Sequence, residues 1–261
     1  MAILERRDTG AVAHLHMNAP ERLNALSDEM LAALQTELDH LRDSTAIRVV
    51  ILSGAGKAFC AGHDLKQMTQ ARQSEDGGKA YFADLFDRCT RMMLTLRSLP
   101  QPVIARVHGI ATAAGCQLVA SCDLAIADTK TRFGVNGVNL GLFCSTPMVA
   151  LTRNISRKHA FEMLTTGQFI NAERAADLGL INRVVAPEDL VTETDGLADT
   201  LASKLGTAVK IGKEAFYAQL ELPVDQAYAY TRDVMVQNML HRDTAEGIAA
   251  FLDKRPPEWS Q

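Results

Sequence analysis

An α/β fold is predicted for this chain by three observations. Short β-branched runs alternate with helical stretches through the first half, small-residue turns follow those runs, and helical patterns dominate after about residue 145. The expected architecture is an α/β core over residues 1–200 followed by a helical C-terminal region over residues 201–261.

Taken in order, Ser27 has the chemistry of a helix cap. Asp28 and Glu29 fall in the first turn of that helix, and Met30, Leu34, Leu38 and Leu41 line one face. Residues 49–53 form a β-branched run that stops at Gly54-Ala55-Gly56, a buried strand entering a turn. The polar stretch 66–80, with Ser74-Glu75-Asp76-Gly77-Gly78, reads as a mobile loop, and a long helix is expected over 81–97. Residues 103–107, set off by Pro100 and Pro102, and residues 124–127 give two more buried strands, with a helix-sized small-residue segment over 113–121 between them. Helical patterns then cover 157–166, 172–178, 188–205, 207–219, 224–241 and 243–254. Asp243 and Glu246 have capping-box spacing, and Pro256-Pro257 end the last helix.

The chain has 261 residues, enough to bury a core without crosslinks. A net charge of −4 gives no general pull toward nucleic acid or anionic membranes. Cys60, Cys89, Cys116, Cys122 and Cys144 are odd in number and none forms a C-x-x-C pair, so free, mostly buried thiols in a reducing compartment are expected and a metal site is not. The start of the chain lacks a signal-peptide pattern and no stretch is apolar enough to span a bilayer, which reads as a cytoplasmic protein. His14 and His16 share a strand face with no third ligand nearby, and Asp123 is expected to brace its strand.

Two segments can carry chemistry. In Lys57-Ala58-Phe59-Cys60-Ala61-Gly62-His63-Asp64-Leu65 a strand gives way to small residues, which let a ligand approach the backbone. The spacing after Gly54 is not that of a phosphate-binding loop. In His108-Gly109-Ile110-Ala111-Thr112-Ala113-Ala114-Gly115-Cys116-Gln117-Leu118 a buried strand leads into small residues that start a helix, whose first N–H groups lack partners. N–H groups from two such places can converge on one carbonyl oxygen and stabilise an oxyanion. Close helix–strand packing would demand the same small residues.

Together the two segments resemble the crotonase superfamily, the enoyl-CoA hydratase/isomerase family, and the resemblance covers nearly the whole chain. Asn18-Ala19-Pro20-Glu21-Arg22-Leu23-Asn24-Ala25-Leu26 is similar to its N-terminal signature and Ala58-Phe59-Cys60-Ala61-Gly62-His63-Asp64-Leu65 to its "A-F-x-A-G-x-D-L" segment. Pro102-Val103-Ile104-Ala105 through Gly115-Cys116, Cys122-Asp123-Leu124, Phe133-Gly134, Leu164-Thr165-Thr166-Gly167 and Arg242 to Arg255 continue the match. The resemblance implies a spiral of ββα units with C-terminal helices that build a homotrimer or a dimer of trimers. It implies an acyl-CoA thioester ligand, coenzyme A being part of the substrate and no separate cofactor being needed. Backbone N–H groups of Ala61 and Ala114 would form the oxyanion hole. Arg22, Leu23 and Ala25 would line the coenzyme A path, with Gly62, His63, Asp64, Leu65, Gly115 and Leu140 at the substrate. Phe251 and Lys254 would reach a neighbouring subunit's ligand.

The family pattern breaks at the proton-transfer groups. Hydratases of the family use two glutamates; here the two positions hold Gln117 and Gly137. An amide orients water but does not cycle a proton near neutral pH, and glycine does neither. The segments around Gln117 and around Gly141-Leu142-Phe143-Cys144-Ser145-Thr146-Pro147 resemble a mitochondrial subgroup of the same family. His63 is the best replacement for acid–base work, and Asn136 and Asn139 could bind water or a polar group. Cys144 or Ser145 as nucleophile would lack a dedicated base. Three functions stay open: an acyl-CoA lyase or isomerase with unconventional groups, a decarboxylase or hydrolase of CoA thioesters using the same hole, and a non-catalytic acyl-CoA binder.

Overall fold

The computed structural model describes residues 2–260; Met1 and Gln261, the outer ends of the two regions expected from sequence, lie outside them. The chain opens with a hairpin of β1 (Leu4–Thr9) and β2 (Val12–Met17), then a 3-10 turn over Pro20–Arg22. There follow α1 (Asp28–Arg42), β3 (Val49–Gly54), α2 (Leu65–Ala71), α3 (Lys79–Ser98), β4 (Val103–Val107), β5 (Ile110–Thr112), α4 (Ala114–Ser121), β6 (Leu124–Asp128) and β7 (Arg132–Gly134). A second 3-10 turn, Asn136–Leu140, precedes α5 (Ser145–Leu151), α6 (Arg157–Thr166), β8 (Ile170–Asn171), α7 (Ala172–Leu178) and β9 (Arg183–Val185). The chain closes with α8 (Leu190–Ala202), α9 (Gly206–Gln219), α10 (Val224–Met239) and α11 (Arg242–Leu252).

One six-stranded sheet runs β1-β2-β3-β4-β6-β9, parallel except for the first hairpin, and a small sheet runs β5-β7-β8. Side-chain alternation explains why β3 is buried on both faces. Val50 and Leu52 join the main core with Leu34 and Leu38 of α1, Met92 and Leu96 of α3 and Leu118 of α4. Val49 and Ile51 pack with Val12, Ile104 and Ala198 of α8 on the other side. The three expected strands and the cap at Ser27, whose side chain accepts from the Met30 N–H at 3.2 Å, are as the sequence indicates.

Several expectations are corrected. Half of the polar stretch 66–80 is helix: Asp64 caps α2, accepting from the Lys66 N–H at 2.8 Å and the Gln67 N–H at 3.3 Å. Strands persist after residue 145 as β8 and β9, and α5 stands ahead of the first helical pattern expected there. The spacing of Asp243 and Glu246 is not a capping box. His241 caps α11, while Asp243 binds Ser260 and Glu246 holds Arg255 and the Glu258 N–H, so the C-terminal tail folds back on the helix. His14 and His16 are half-buried, and His16 Nδ1 lies 2.9 Å from Ser53 Oγ. Asp123 braces its strand as expected: it accepts from the Val103 N–H at 2.7 Å, Lys213 Nζ at 2.7 Å and Tyr217 OH at 2.8 Å, tying α9 to the core. Burial pushes the Lys213 amine down, opposed by Asp123.

Candidate active site

The two small-residue segments meet. The stretch leaving β3 runs beside β5: the Cys60 N–H donates to the Ile110 carbonyl at 3.1 Å, and the Thr112 N–H to the Cys60 carbonyl at 3.1 Å. A Cβ at Gly115 would run into that same Cys60 carbonyl, so α4 can start only because the residue there is glycine. Gly62, at φ +92°, lies directly against the start of α4. A Cβ on it would stand 3.0 Å from Ala113 Cβ and 3.3 Å from the Ala114 nitrogen. Ala114 is the first residue of α4, and its N–H has no acceptor among the described residues. Ala113 holds φ 50° and ψ −120°, a strained conformation for a residue with a Cβ.

The other expected oxyanion donor, Ala61, has its N–H already committed within the protein. The Ala61 N–H points away from the crossing and donates to the Leu23 carbonyl at 3.0 Å. The Gly62 N–H is directed at the Cys60 thiol. The next N–H, on His63, has no backbone acceptor among the described residues, whereas the Gly62 carbonyl beside it accepts from Leu26 at 2.7 Å. The uncommitted pair at the crossing is therefore the N–H groups of His63 and Ala114.

Residues 22–26 run along this turn and fix it. Leu23 and Asn24 both take left-handed φ, 53° and 51°. Asn24 is fully buried: Oδ1 accepts from the Ala19 N–H at 2.9 Å, and Nδ2 donates to the Ala55 and Ala58 carbonyls at 2.9 and 2.8 Å. Sequence reading gave Asn24 no role; it is itself the second of two consecutive left-handed positions, a conformation that asparagine tolerates better than most residues. Ala25 is buried. Arg22 binds Asp64 Oδ2 through Nη2 at 2.6 Å and Nε at 3.1 Å, and Glu29 at 3.2 Å. Burial alone would push the Asp64 carboxyl up, but Arg22 and the N–H groups of Gln67 and Lys66 outweigh it and hold the pKa low. Arg22 thus fixes the turn rather than standing free.

His63 sits edge-on to Phe86, with ring centroids 5.6 Å apart. Neither ring nitrogen has a hydrogen-bond partner of normal geometry among the described residues, the Leu26 backbone being the nearest approach. Burial pushes the imidazole pKa down, only partly opposed by the Leu26 backbone, so the ring is neutral at pH 7. Gln117 lies one turn beyond Ala114 on the same face of α4 and is 6% exposed, and its Oε1 is buried without a partner. Gly137 is buried, and a Cβ there would stand 2.6 Å from the Leu142 carbonyl oxygen and 2.8 Å from Cys144 Sγ. No side chain fits at 137 without moving that loop. Asn136 Oδ1 accepts from Thr112 Oγ1 at 2.6 Å, bringing it to the edge of the crossing. Asn139 turns away, donating to the Gly167 carbonyl at 3.3 Å, so it closes the end of α6 instead of facing Gln117.

Leu65 and Lys66 line an open groove of about 470 Å³ with Thr69, Gln70 and Gln73. Leu140 is 62% exposed. Phe251, 82% exposed, and Lys254, at φ 55°, stand on and just past α11 and make no bond to the residues around Ala114. All five cysteines are free and buried. Burial pushes the Cys60, Cys89 and Cys116 thiols up to about 12, and raises Cys144 too, so none is a ready thiolate. No helix among the described residues is long and apolar enough to cross a membrane.

Residues 7–261 match the family model described as enoyl-CoA hydratase/isomerase. The human protein named "Enoyl-CoA hydratase domain-containing protein 3, mitochondrial" is 46% identical over 254 residues, covering 97% of this chain and 82% of the relative. A solved structure of that human protein superposes with a TM-score of 0.94 at 44% identity, covering 98% of this chain and 100% of the other. An enoyl-CoA hydratase structure from Mycobacterium smegmatis gives 0.94 at 51% identity, covering 99% of both chains. The expected crotonase fold and the likeness to the domain-containing protein 3 subgroup both hold, and the chain belongs to the enoyl-CoA hydratase/isomerase family.

Proposed function

We propose that this chain binds acyl-CoA thioesters and holds the thioester carbonyl between the backbone N–H groups of His63 and Ala114, stabilising the enolate rather than hydrating a double bond. The observation carrying this reading is the crossing itself. Two N–H groups without acceptors among the described residues flank Gly62, where a missing Cβ leaves both backbones open to close approach. Such donors act on charge that develops in the transition state, and removing one typically costs on the order of 100-fold or more in rate.

Paired-carboxylate hydration is disfavoured. Gln117 has no proton that titrates near neutral pH, and Gly137 has neither a carboxyl group nor room for one. His63 is the titratable group at the hole. Neutral and unbonded, its ring can accept a proton from the carbon next to the thioester carbonyl. The test is exchange of that carbon's hydrogens in heavy water with butanoyl-CoA, followed by mass spectrometry. Exchange should fall by about 100-fold or more in His63→Ala. Binding without exchange, in wild type and variant alike, would leave an acyl-CoA binder instead of an enzyme.

Decarboxylation of a malonyl-type thioester uses the same hole and needs no carbon base, which the missing carboxylates favour as a second reading. Malonyl-type thioesters left intact after long incubation would exclude it. Residues 201–261 are proposed to build a homotrimer or a dimer of trimers, with Phe251 and Lys254 reaching a neighbouring subunit's coenzyme A. Supporting this, no residue of α10 is buried, and Tyr228, Met235, Val236, Met239 and Leu240 are exposed. Sedimentation velocity tests it. The compartment is proposed to be reducing, in keeping with five free thiols; the human relative's name places that protein in mitochondria, so a cytoplasmic location rests on the sequence reading alone.

A further inference from the structure

We propose that α8 is held on the outer face of the six-stranded sheet by a proton-sensitive latch, which stays shut only while the imidazoles of His14 and His16 are uncharged. The apolar seat of α8 is small: Ala198 and its neighbours lie on Val12, Val49, Ile51 and Ile104. The rest of its hold is polar. Arg48 Nη1 donates to the Ala202 and Lys204 carbonyls at 3.1 and 3.0 Å, and Arg106 Nη2 donates to Asp195 Oδ1. Arg106 Nε is buried without a partner among the described residues, so a single nitrogen of that guanidinium makes the link to the helix. The strand register sets both histidines beside this link. His14 pairs with Ile51 and His16 with Ser53, and Ile51 pairs in turn with Ile104, two residues before Arg106 on β4. Alternation puts all these side chains on the face that α8 covers. From the other side, β1 sets Arg7 opposite His14 and Glu5 opposite His16.

Arg106 faces both rings. His14 also faces Asp195 of α8 and Arg7 and Asp8 of β1, and His16 faces Glu5 and His108. The carboxylates in this layer already serve other groups. Asp195 accepts from Arg106, Asp8 from Arg6 at 2.8 and 2.9 Å, and Glu5 from Asn18 Nδ2 at 2.8 Å. A proton added to either ring therefore sets a second cation beside Arg106 in a half-buried layer. Uncharged, His16 keeps Nδ1 at 2.9 Å from Ser53 Oγ, and His14 makes no hydrogen bond among the described residues. Burial is the largest cause pushing both imidazole pKa values down, Arg106 adds to it, and Asp195 and Glu5 oppose it only in part. Lifting α8 returns the rings to water, so protonation favours the lifted helix. With folded pKa values below the ordinary value of about 6.5, the latch is complete above that pH and weakens as pH falls below it. At pH 5.5 each histidine that titrates only in the lifted state raises the lifting constant by at most about 10-fold. Because α8 leads directly into α9, α10 and α11, lifting it frees the root of the C-terminal helices.

The experiment is hydrogen exchange of the full-length protein at pH 7.5 and pH 5.5, read by mass spectrometry on peptides of α8, with each rate divided by the intrinsic rate at that pH. Opening of α8 is expected to rise about three-fold or more on acidification in wild type. In His14→Gln combined with His16→Asn, folded by thermal melting, that rise is expected to disappear. His63 is present in both proteins, so its own titration cancels. An equal acid response in the two folded proteins overturns the latch. So does a loss of protection in wild type that is no larger in α8 than in α1, which is the pattern of general acid unfolding. Should the double variant not fold, the ring C2 protons of wild type, assigned with the single variants, are followed by nuclear magnetic resonance from pH 8 to pH 5. Midpoints below about 6.5 for both rings support the latch, and a midpoint at or above that value for either ring overturns its part in it.

Discussion

Replacing Gly137 by alanine tests whether the second carboxylate position is closed by the fold or merely empty. The ideal Cβ would stand 2.6 Å from the Leu142 carbonyl oxygen and 2.8 Å from Cys144 Sγ. The sulfur ends a short side chain and can rotate aside. The carbonyl belongs to a loop pinned to Gly137 itself, because the Leu142 N–H donates to the Gly137 carbonyl at 2.9 Å. Relief therefore requires moving backbone, and overpacking of this kind costs about 1–3 kcal/mol. For a chain of this size that lowers the melting temperature by about 2–12 °C. Gly196 supplies an internal control: it is an exposed glycine within α8 with nothing within 4 Å of its ideal Cβ, so alanine there should stabilise by about 0.5–1 kcal/mol. The assay is differential scanning calorimetry at one fixed protein concentration, since an oligomer's melting point depends on concentration. Opposite signs are expected for the two substitutions. Gly137→Glu should destabilise further and yield no hydration of crotonyl-CoA. A Gly137→Ala protein melting at or above wild type, or a Gly137→Glu protein that hydrates, would refute the steric account.

The strain at Ala113 predicts that Ala113→Gly stabilises: relieving φ 50° and ψ −120° returns about 1–3 kcal/mol, less about 0.5–1 kcal/mol for glycine's extra chain entropy, and a lower melting point would contradict it. His63 has its folded pKa depressed below the ordinary value of about 6.5. Its contribution is present above that value and lost as pH falls through it, so stability should drop more steeply from pH 7 to pH 5 in wild type than in His63→Phe, with equal slopes counting against a buried neutral ring. Asp123→Ala leaves the Lys213 amine buried without its carboxylate and strips the Tyr217 hydroxyl and Val103 N–H of their acceptor, and should cost about 3–5 kcal/mol in urea unfolding. Removing both charges in Asp123→Leu with Lys213→Met should cost clearly less than the sum of the singles, and strict additivity would mean that the pair does not interact.

The strands at 49–53, 103–107 and 124–127 were legible because both faces of the sheet are buried, which writes them as uninterrupted apolar runs. The helix α2 was not, because none of its residues is buried and it leaves no apolar period; only its cap, Asp64, marks it. The strands β5, β7, β8 and β9 are two or three residues long, too short for alternation to register. The tail hides a different trap: Asp243 and Glu246 have the spacing of a cap, but contacts from Ser260, Arg255 and Glu258 claim both carboxylates. At the site, the sequence identifies the turn but not which of its N–H groups is free. That is decided by Leu23, whose carbonyl arrives from residues 22–26 and takes the Ala61 N–H. Asn139 was misplaced for the same kind of reason, since the distant Gly167 carbonyl settles where its amide points.

The proposed oxyanion hole and the proton-transfer groups depend on different parts of the structure. The proposed hole would be made by backbone held at a crossing: Gly62 against residues 112–114, Gly115 against Cys60, and Asn24 bracing the turn from behind. Substituting a side chain that merely projects into the site leaves that crossing in place. The carboxylates of the family pattern are side chains added to it, one on the first turns of α4 and one on the 3-10 turn after β7. Here the first is an amide of nearly the same shape, which preserves the packing of α4 while removing the titratable proton. The second is lost together with the space it would need, because the Leu142 carbonyl and the Cys144 thiol stand where its side chain would begin. Restoring function at the first position therefore asks for a single substitution. Gln117→Glu would put a carboxyl group one helical turn past Ala114 without moving the backbone of the crossing, whereas Gly137→Glu has to rebuild the loop through Cys144 first. Proton transfer gained by Gln117→Glu alone would show that the hole was competent throughout. Its absence in a folded, thioester-binding Gln117→Glu protein would mean that the second position limits hydration.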